Sequence, residues 1–253
     1  MSNASDLVVK RDGHVVQLEM RRPPHNFLDM DYAGRLADIL ESLDADPGCR
    51  AIVLSSGMKT FCAGADFSSP GAGKDPSQFY GQAMRLFRSK KPIIAAVSGA
   101  AVGAGMGLTL IADFRITCPE ARFSANFNRL GFHPGFGMSL TLPRLIGEQK
   151  AALLFYTGRR IKGDEAFAIG LADELVDEGE VTARALGLAQ EIATSAPLAV
   201  LSTRETLRQG LADRIVAANQ RELAIQIPQF RTEDFREGVA AMAQRRDPVF
   251  HGK

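Results

Sequence analysis

The chain has 253 residues, 45% hydrophobic and 23% charged, with a formal net charge of +1 from 30 basic and 29 acidic residues. That length suits one large α/β domain or a domain with a small appendage, and the apolar share is too high for a disordered chain. The charge balance gives no electrostatic case for nucleic acid or an anionic membrane as the main partner, and no apolar run reaches the ~18 residues of a membrane span.

In chain order, Leu7–Lys10 and His14–Met20 are predicted strands joined by the hairpin signal Asp12-Gly13. Asp29 is placed to cap a helix whose Tyr32, Leu36, Ile39, Leu40 and Leu43 share one face, ending before Pro47-Gly48. Ala51–Leu54 is a short buried strand, followed by a glycine-containing loop, Phe61–Phe67, and a Ser/Gly/Pro-rich loop, Ser68–Asp75. Phe79, Ala83, Leu86 and Phe87 mark a helix, Pro92–Val97 a second buried strand, and a small-residue helix runs from near Ala104 to about Ala112. Phe114–Thr117 and Arg122–Ser124 are short strands. From Gly137 the pattern is mostly helical, and Pro197 to the end reads as three helices whose apolar stripes need a partner surface. Strands alternating with helices imply βα units and a largely parallel sheet. No internal repeat is visible.

Cys49, Cys62 and Cys118, an odd count without close pairing, read as reduced thiols of an intracellular protein. The polar stretch Met1–Asp6 is unlike a signal peptide, so the expected location is the cytoplasm. No C-x-x-C or H-E-x-x-H spacing points to a metal.

Two segments carry chemistry. Phe61-Cys62-Ala63-Gly64-Ala65-Asp66-Phe67 follows a strand and its turn; Gly103-Ala104-Gly105 stands between a strand and a helix. Small residues allow a ligand close to the backbone, and a helix beginning near Ala104 leaves unpaired N–H groups facing outward. Two such groups converging on one carbonyl oxygen would stabilise an enolate or a tetrahedral oxyanion, each donor being worth roughly 3 kcal/mol in the transition state. A dinucleotide site is rejected: no acidic residue closes a following strand, and the glycines lie too far along the chain.

At these residues the sequence resembles the crotonase, or enoyl-CoA hydratase/isomerase, superfamily. Phe61–Asp66 is similar to its first oxyanion motif, and Lys91–Gly99 followed by Gly103-Ala104-Gly105 to its second. Asp164–Asp173, the tail from Thr232 to Phe250, and Pro24-His25-Asn26 (similar to an early turn that contacts coenzyme A) extend the likeness over nearly the whole chain in order. The resemblance implies an α/β, ClpP-like spiral of ββα units over residues 1–195, with a C-terminal helical trimerisation region over 196–253. It implies an acyl-CoA substrate, no cofactor beyond the coenzyme A that is part of it, and a homotrimer or a hexamer of two stacked trimers. By motif position the oxyanion donors are the N–H groups of Ala63 and Ala104, with His25, Asn26, Cys62, Gly64, Ala65, Asp66, Gly103 and Phe127 around the substrate.

The chain departs from that pattern where a hydratase has its two glutamates: the first position holds Gly107 and the second Phe127, and neither can move a proton. Phe127 also argues against single-glutamate isomerisation. Gly135 stands where the family's aryl-CoA dehalogenases have an aspartate, and a tyrosine used near that loop by a decarboxylase relative is absent. His133 is the candidate base, set against a plain surface role; Tyr80 reads as packing, Asp66 as a loop brace and Cys62 as a small packing residue. Arg21, Arg22, Lys90 and Lys91 are weighed as phosphate contacts against ordinary solvated charges, and Phe67, Phe127, Phe132 and Phe136 as an apolar pocket lining against plain core. The expected function is an acyl-CoA enzyme of this family that stabilises an enolate or oxyanion. The alternatives are a decarboxylase, a thioesterase or a non-catalytic acyl-CoA-binding protein.

Overall fold

The computed structural model describes residues 6–67 and 75–253. The loop expected over Ser68–Asp75 lies outside them except for Asp75. Strands β1 (Leu7–Asp12) and β2 (Val15–Met20) form the expected antiparallel hairpin. Its turn passes through Gly13 at φ +55, a conformation that disfavours a side chain even though the space there is open. Helix α1 (Met30–Ala45) follows, with the Asp29 carboxylate accepting from the Tyr32 N–H at 2.8 Å and Tyr32, Leu36, Leu40 and Leu43 buried.

The next part of the chain climbs in repeated steps. Strand β3 (Ala51–Ser56) is followed by the short β4 (Thr60–Cys62) and helix α2 (Ser77–Leu86). Strand β5 (Ile93–Val97) is followed by β6 (Ala100–Val102) and α3 (Ala104–Thr109). Strand β7 (Phe114–Thr117) is followed by β8 (Arg122–Ser124) and a 3₁₀ turn, Asn128–Leu130. The longer strand of each step joins one sheet and the shorter joins a second. With β9 (Arg160–Lys162) and β10 (Glu174–Leu175), the sheets run β1-β2-β3-β5-β7-β10 and β4-β6-β8-β9. The result is a spiral of ββα turns. Phe61 and Cys62, expected at the start of a loop, and Ala100–Val102, which follow the expected strand, are therefore in strands of the second sheet, and α3 ends at Thr109 rather than near Ala112.

Between these strands lie α4 (Met138–Ile146), α5 (Glu148–Thr157) and α6 (Gly163–Ala168). Helix α7 (Val181–Ala193) packs on β3, β5 and β7 through Val181, Ala185, Ala189 and Ala193, a stripe at i+4 spacing whose alanines allow close approach. Three helices close the chain as expected: α8 (Pro197–Leu207), α9 (Leu211–Gln229) and α10 (Glu233–Gln244). Among the described residues no single helix is long and apolar enough to cross a membrane.

Helix α8 buries none of its residues, and Leu198 and Leu207 are 80% and 72% exposed. Polar bonds to the sheet hold it instead. Asp113 accepts from Arg204 Nε at 2.9 Å, Arg208 Nη1 at 3.2 Å and the Ile93 N–H at 2.9 Å, and its own N–H donates to the Ile93 carbonyl. Removing the carboxylate leaves two largely buried guanidinium groups uncompensated. Asp113→Ala is expected to lower stability by about 3 kcal/mol and to raise amide hydrogen exchange across 197–207 first; unchanged exchange there would show that α8 is held by something else.

Candidate active site

Strands β4 and β6 are adjacent and parallel, with Thr60 opposite Ala100 and Cys62 opposite Ala101. The segments that leave their C-terminal ends, Ala63–Phe67 and Gly103–Gly105, therefore emerge side by side. They touch backbone to backbone. A Cβ on Gly105 would lie 2.0 Å from the Cys62 carbonyl oxygen, and one on Gly64 would lie 2.5 Å from the Val102 oxygen and 3.2 Å from the Ala104 nitrogen. Gly64 also has φ +79 and Gly103 φ +55, so both turns favour glycine on conformational grounds too.

The hydrogen bonds of the two segments separate committed donors from available ones. The Ala63 N–H, expected from the motif to be the first donor, gives its bond to the His25 carbonyl at 3.1 Å. It is taken up in holding the loop to the early turn, so the expectation does not carry over to that atom. The Gly64 carbonyl accepts from the Leu28 N–H at 2.8 Å. A trans peptide aims its N–H opposite to its C=O, so the Ala65 N–H faces away from Leu28. No backbone bond among the described residues uses the N–H of Ala65 or of Ala104. Ala104 opens α3, where first-turn donors have no partner within the helix.

Asn26 braces this arrangement. It is fully buried at φ +52, and its Nδ2 lies within donating distance of Ser56 Oγ at 2.8 Å and the Phe61 carbonyl at 3.0 Å, while its Oδ1 accepts from the Arg22 N–H at 2.7 Å. Expected to face a ligand, it instead ties the early turn to β3 and β4. His25 beside it is exposed, with Nδ1 3.3 Å from Thr60 Oγ1. Cys62 is fully buried, donates to the Asn26 carbonyl at 3.0 Å, and burial pushes its thiol up to about 12. That thiol is protonated near neutral pH, in keeping with a packing residue. Asp66 is half-buried and engaged with a partner.

Around Gly107 and Phe127, where the resemblance implies glutamates in a hydratase, the surroundings are aromatic. A Cβ on Gly107 would lie 2.7 Å from Phe136 Cγ and Cδ1, and Phe136 itself is fully buried. Phe127 is 4% exposed, packs edge-on against Phe132 at 5.5 Å, and its Cζ lies 4.0 Å from a Cβ built on Gly103. Phe132 joins Phe67, Phe230 and Phe235 in one aromatic cluster, while Phe136 meets Phe79 and Phe87 in another. The His133 ring is half-buried with Nδ1 2.7 Å from the Pro134 carbonyl oxygen, and no hydrogen bond among the described residues ties it to either loop. Tyr80 is buried beside Gln226, and burial drives its phenol well above the ordinary range. Sequence reasoning missed Glu222, Gln226 and Gln229 of α9, whose side chains bond the 133–139 segment. Their spacing of four and three along a helix was the available signal. Among the described residues no group of three or more His, Cys, Asp or Glu side chains is placed to hold a metal ion.

The family model for enoyl-CoA hydratase/isomerase matches residues 10–253. The carnitinyl-CoA dehydratase of Escherichia coli K12 is 30% identical over 260 residues, covering 99% of this chain and all of the relative. The enoyl-CoA hydratase/isomerase of Pseudoalteromonas atlantica T6c superposes with a TM-score of 0.88 at 29% identity, over 98% of this chain and 100% of that one. An enoyl-CoA hydratase of Bacillus anthracis gives 0.76 at 30% identity, over 98% and 100%. With the family model spanning nearly the whole chain and relatives matched along their full length, this protein belongs to the enoyl-CoA hydratase/isomerase, or crotonase, family.

Proposed function

We propose that the protein is an acyl-CoA enzyme that holds the thioester carbonyl oxygen between the N–H groups of Ala65 and Ala104 and stabilises the negative charge that develops there. The observation that carries this reading is the pair of backbone donors, used by no backbone hydrogen bond among the described residues, that follow two adjacent parallel strands and are brought together by glycine contacts that leave no room for side chains. Fixed donors need no reorganisation as charge appears on the oxygen, which is why such pairs act strongly in a site closed to water.

Gly107 and Phe127 supply no proton-transfer group, so the proposed chemistry is one in which charge reaches the thioester oxygen without a carboxylate pair. Decarboxylation of a 2-carboxyacyl thioester, of which malonyl-CoA is the simplest, meets that requirement. The C–C bonding pair flows into the enolate, carbon dioxide leaves, and water protonates the α-carbon. The same aromatic surroundings favour a second reading, an acyl-CoA-binding protein without turnover. Coenzyme A enters as part of the substrate. The exposed Leu198 and Leu207 of α8 favour burial against another copy, as in a homotrimer or a hexamer of two trimers.

The first experiment is a mass-spectrometric panel of crotonyl-CoA, 3-enoyl-CoAs, malonyl-CoA and saturated acyl-CoAs, with binding recorded alongside turnover. Loss of carbon dioxide is the expected outcome. A hydrated product would return the chemistry to water addition and make His133→Ala the next variant, and tight binding without product would favour the second reading. On the substrate so found, Ala104→Pro is expected to lower turnover about 100-fold. Proline is tolerated at the first residue of a helix, so circular dichroism should remain native, and unchanged turnover in the folded variant would remove Ala104 from the site.

The thiols give an independent check. Burial pushes Cys62 to about 12 and Cys49 up to about 11 from 9.0. Their neutral state stabilises the fold fully below pH 9, where an unfolded thiol is also protonated, and that contribution is lost as pH rises from 9 through those values. Native protein at pH 8 is expected to resist thiol reagents, and Cys62→Ala to flatten the fall of Tm above pH 9. Rapid modification of Cys62 in the folded protein would contradict a passive role for it.

A further inference from the structure

Phe136 adopts a backbone conformation that its own chemistry disfavours. It has φ +65 and lies between Gly135 and Gly137, in the left-handed region that bulky residues avoid. A conformation of that kind persists only when the surroundings over-determine it, and helix α9 supplies the constraint. Glu222 accepts from the Gly137 N–H at 2.7 Å, the Ser139 N–H at 2.8 Å and the Ser139 hydroxyl at 2.6 Å, and Asn219 one turn earlier donates to it at 3.2 Å. Gln226 donates to the His133 carbonyl at 2.7 Å, and Gln229 accepts from the His133 N–H at 2.7 Å. The segment is thus pinned on both sides of Phe136 by one face of one helix. Gly135 admits the buried Tyr80: a Cβ there would lie 2.0 Å from the Tyr80 hydroxyl.

The pinned ring fills the space beside Gly107. With no exposed surface on Phe136 and a Gly107 Cβ position only 2.7 Å from its ring, that space is full. Gly107 follows Ala104 by three residues on the same face of α3. Gly107 therefore stands about one helical turn, ~5 Å, from Ala104, whose N–H is proposed to hold the thioester oxygen, and the Phe136 ring packs against it. The first carbons of an acyl chain held at that N–H would lie within the same reach.

We infer that Phe136 is the specificity-determining residue of the acyl pocket: locked by Glu222 and Gln226, it closes the wall beside Gly107 and admits acyl groups that are unbranched next to the thioester carbonyl. This rests on the acyl-CoA reading above. The wall is apolar and rigid, so it discriminates by shape, and one methyl group in such a pocket changes binding by roughly 10-fold or more.

The test is calorimetric binding of butyryl-CoA and isobutyryl-CoA to the full chain and its variants. The native protein is expected to prefer butyryl-CoA at least ~10-fold. Phe136→Ala is expected to bring the two within about 2-fold, mainly through tighter isobutyryl-CoA binding, and Phe136→Leu to fall between. Glu222→Gln keeps the side chain's shape but offers an amide N–H to one of the loop donors. It should shift the same ratio in the same direction, which a purely structural role would not do. Gly107→Ala should weaken both ligands, and adding Phe136→Ala should restore them, a coupling expected only if the two residues compete for one space. Butyryl-CoA binding with an unchanged ratio in folded Phe136→Ala and Phe136→Leu would overturn this inference alone. Failure of the folded native protein to bind either ligand would overturn the acyl-CoA reading and this inference with it.

Discussion

Everything at the centre of this molecule depends on two backbones lying against each other with no side chain between them. Gly99 stands where a Cβ would lie 2.1 Å from the Lys59 carbonyl oxygen, Gly105 where it would lie 2.0 Å from that of Cys62, and Gly64 where it would lie 2.5 Å from that of Val102. These three contacts run along the pairing of β4 with β6 and out into the two segments beyond it. An alanine at any of them must move backbone rather than the end of a flexible side chain. The parallel pairing sets the direction of both segments, and the missing side chains set their distance. The positions of the Ala65 and Ala104 N–H groups, which no backbone bond among the described residues uses, follow from those two facts.

The same economy of space governs the opposite wall. Gly107 leaves a void on α3, Phe136 fills it, and the backbone that presents Phe136 is held by polar side chains of α9. Glu222 is buried to 1% exposure, yet its bonds to Gly137, Ser139 and Asn219 pair the carboxylate with donors on every side, the condition under which a buried polar group specifies a structure instead of weakening it. The α9 residues that bond this segment lie 83 to 96 positions beyond their partners in it. The helical end of the chain is therefore part of what holds the Phe136 segment in place.

What the sequence disclosed follows the length and periodicity of each element. The hairpin, α1 with its Asp29 cap, β3, β5, β7 and the three terminal helices were all legible, since each carries a turn signal, a cap or an apolar run long enough to have a period. Strands β4, β6 and β9 have three residues each, and β10 has two. A three-residue segment has no period: β8 (Arg122–Ser124), equally short, was expected, but the others were not, and they exist because a neighbour pairs with them. For the same reason the spiral repeats in space but not in sequence: its turns share a pairing pattern, not a set of residues. Ala63 and Ala65 illustrate the limit within the site. Both are small, both stand in the right loop, and only the carbonyl of His25, 38 positions earlier in the chain, separates the committed donor from the available one.

The aromatic residues at 127 and 136 then have a common physical sense. A carboxylate beside the thioester would need water or hydrogen-bond donors around it, and burying it against phenylalanine rings would strongly penalise its charged form. Gly107 and Phe127 make no such demand, and the space beside Gly107 is filled by the Phe136 ring. In the proposed site the directed polar groups are main-chain N–H donors, which keep their orientation and partial charge across the whole pH range in which the fold survives. On the proposed reading such a site would discriminate among thioesters by the shape of the acyl group and act on the carbonyl oxygen, and the protons of the reaction would come from the substrate or from water.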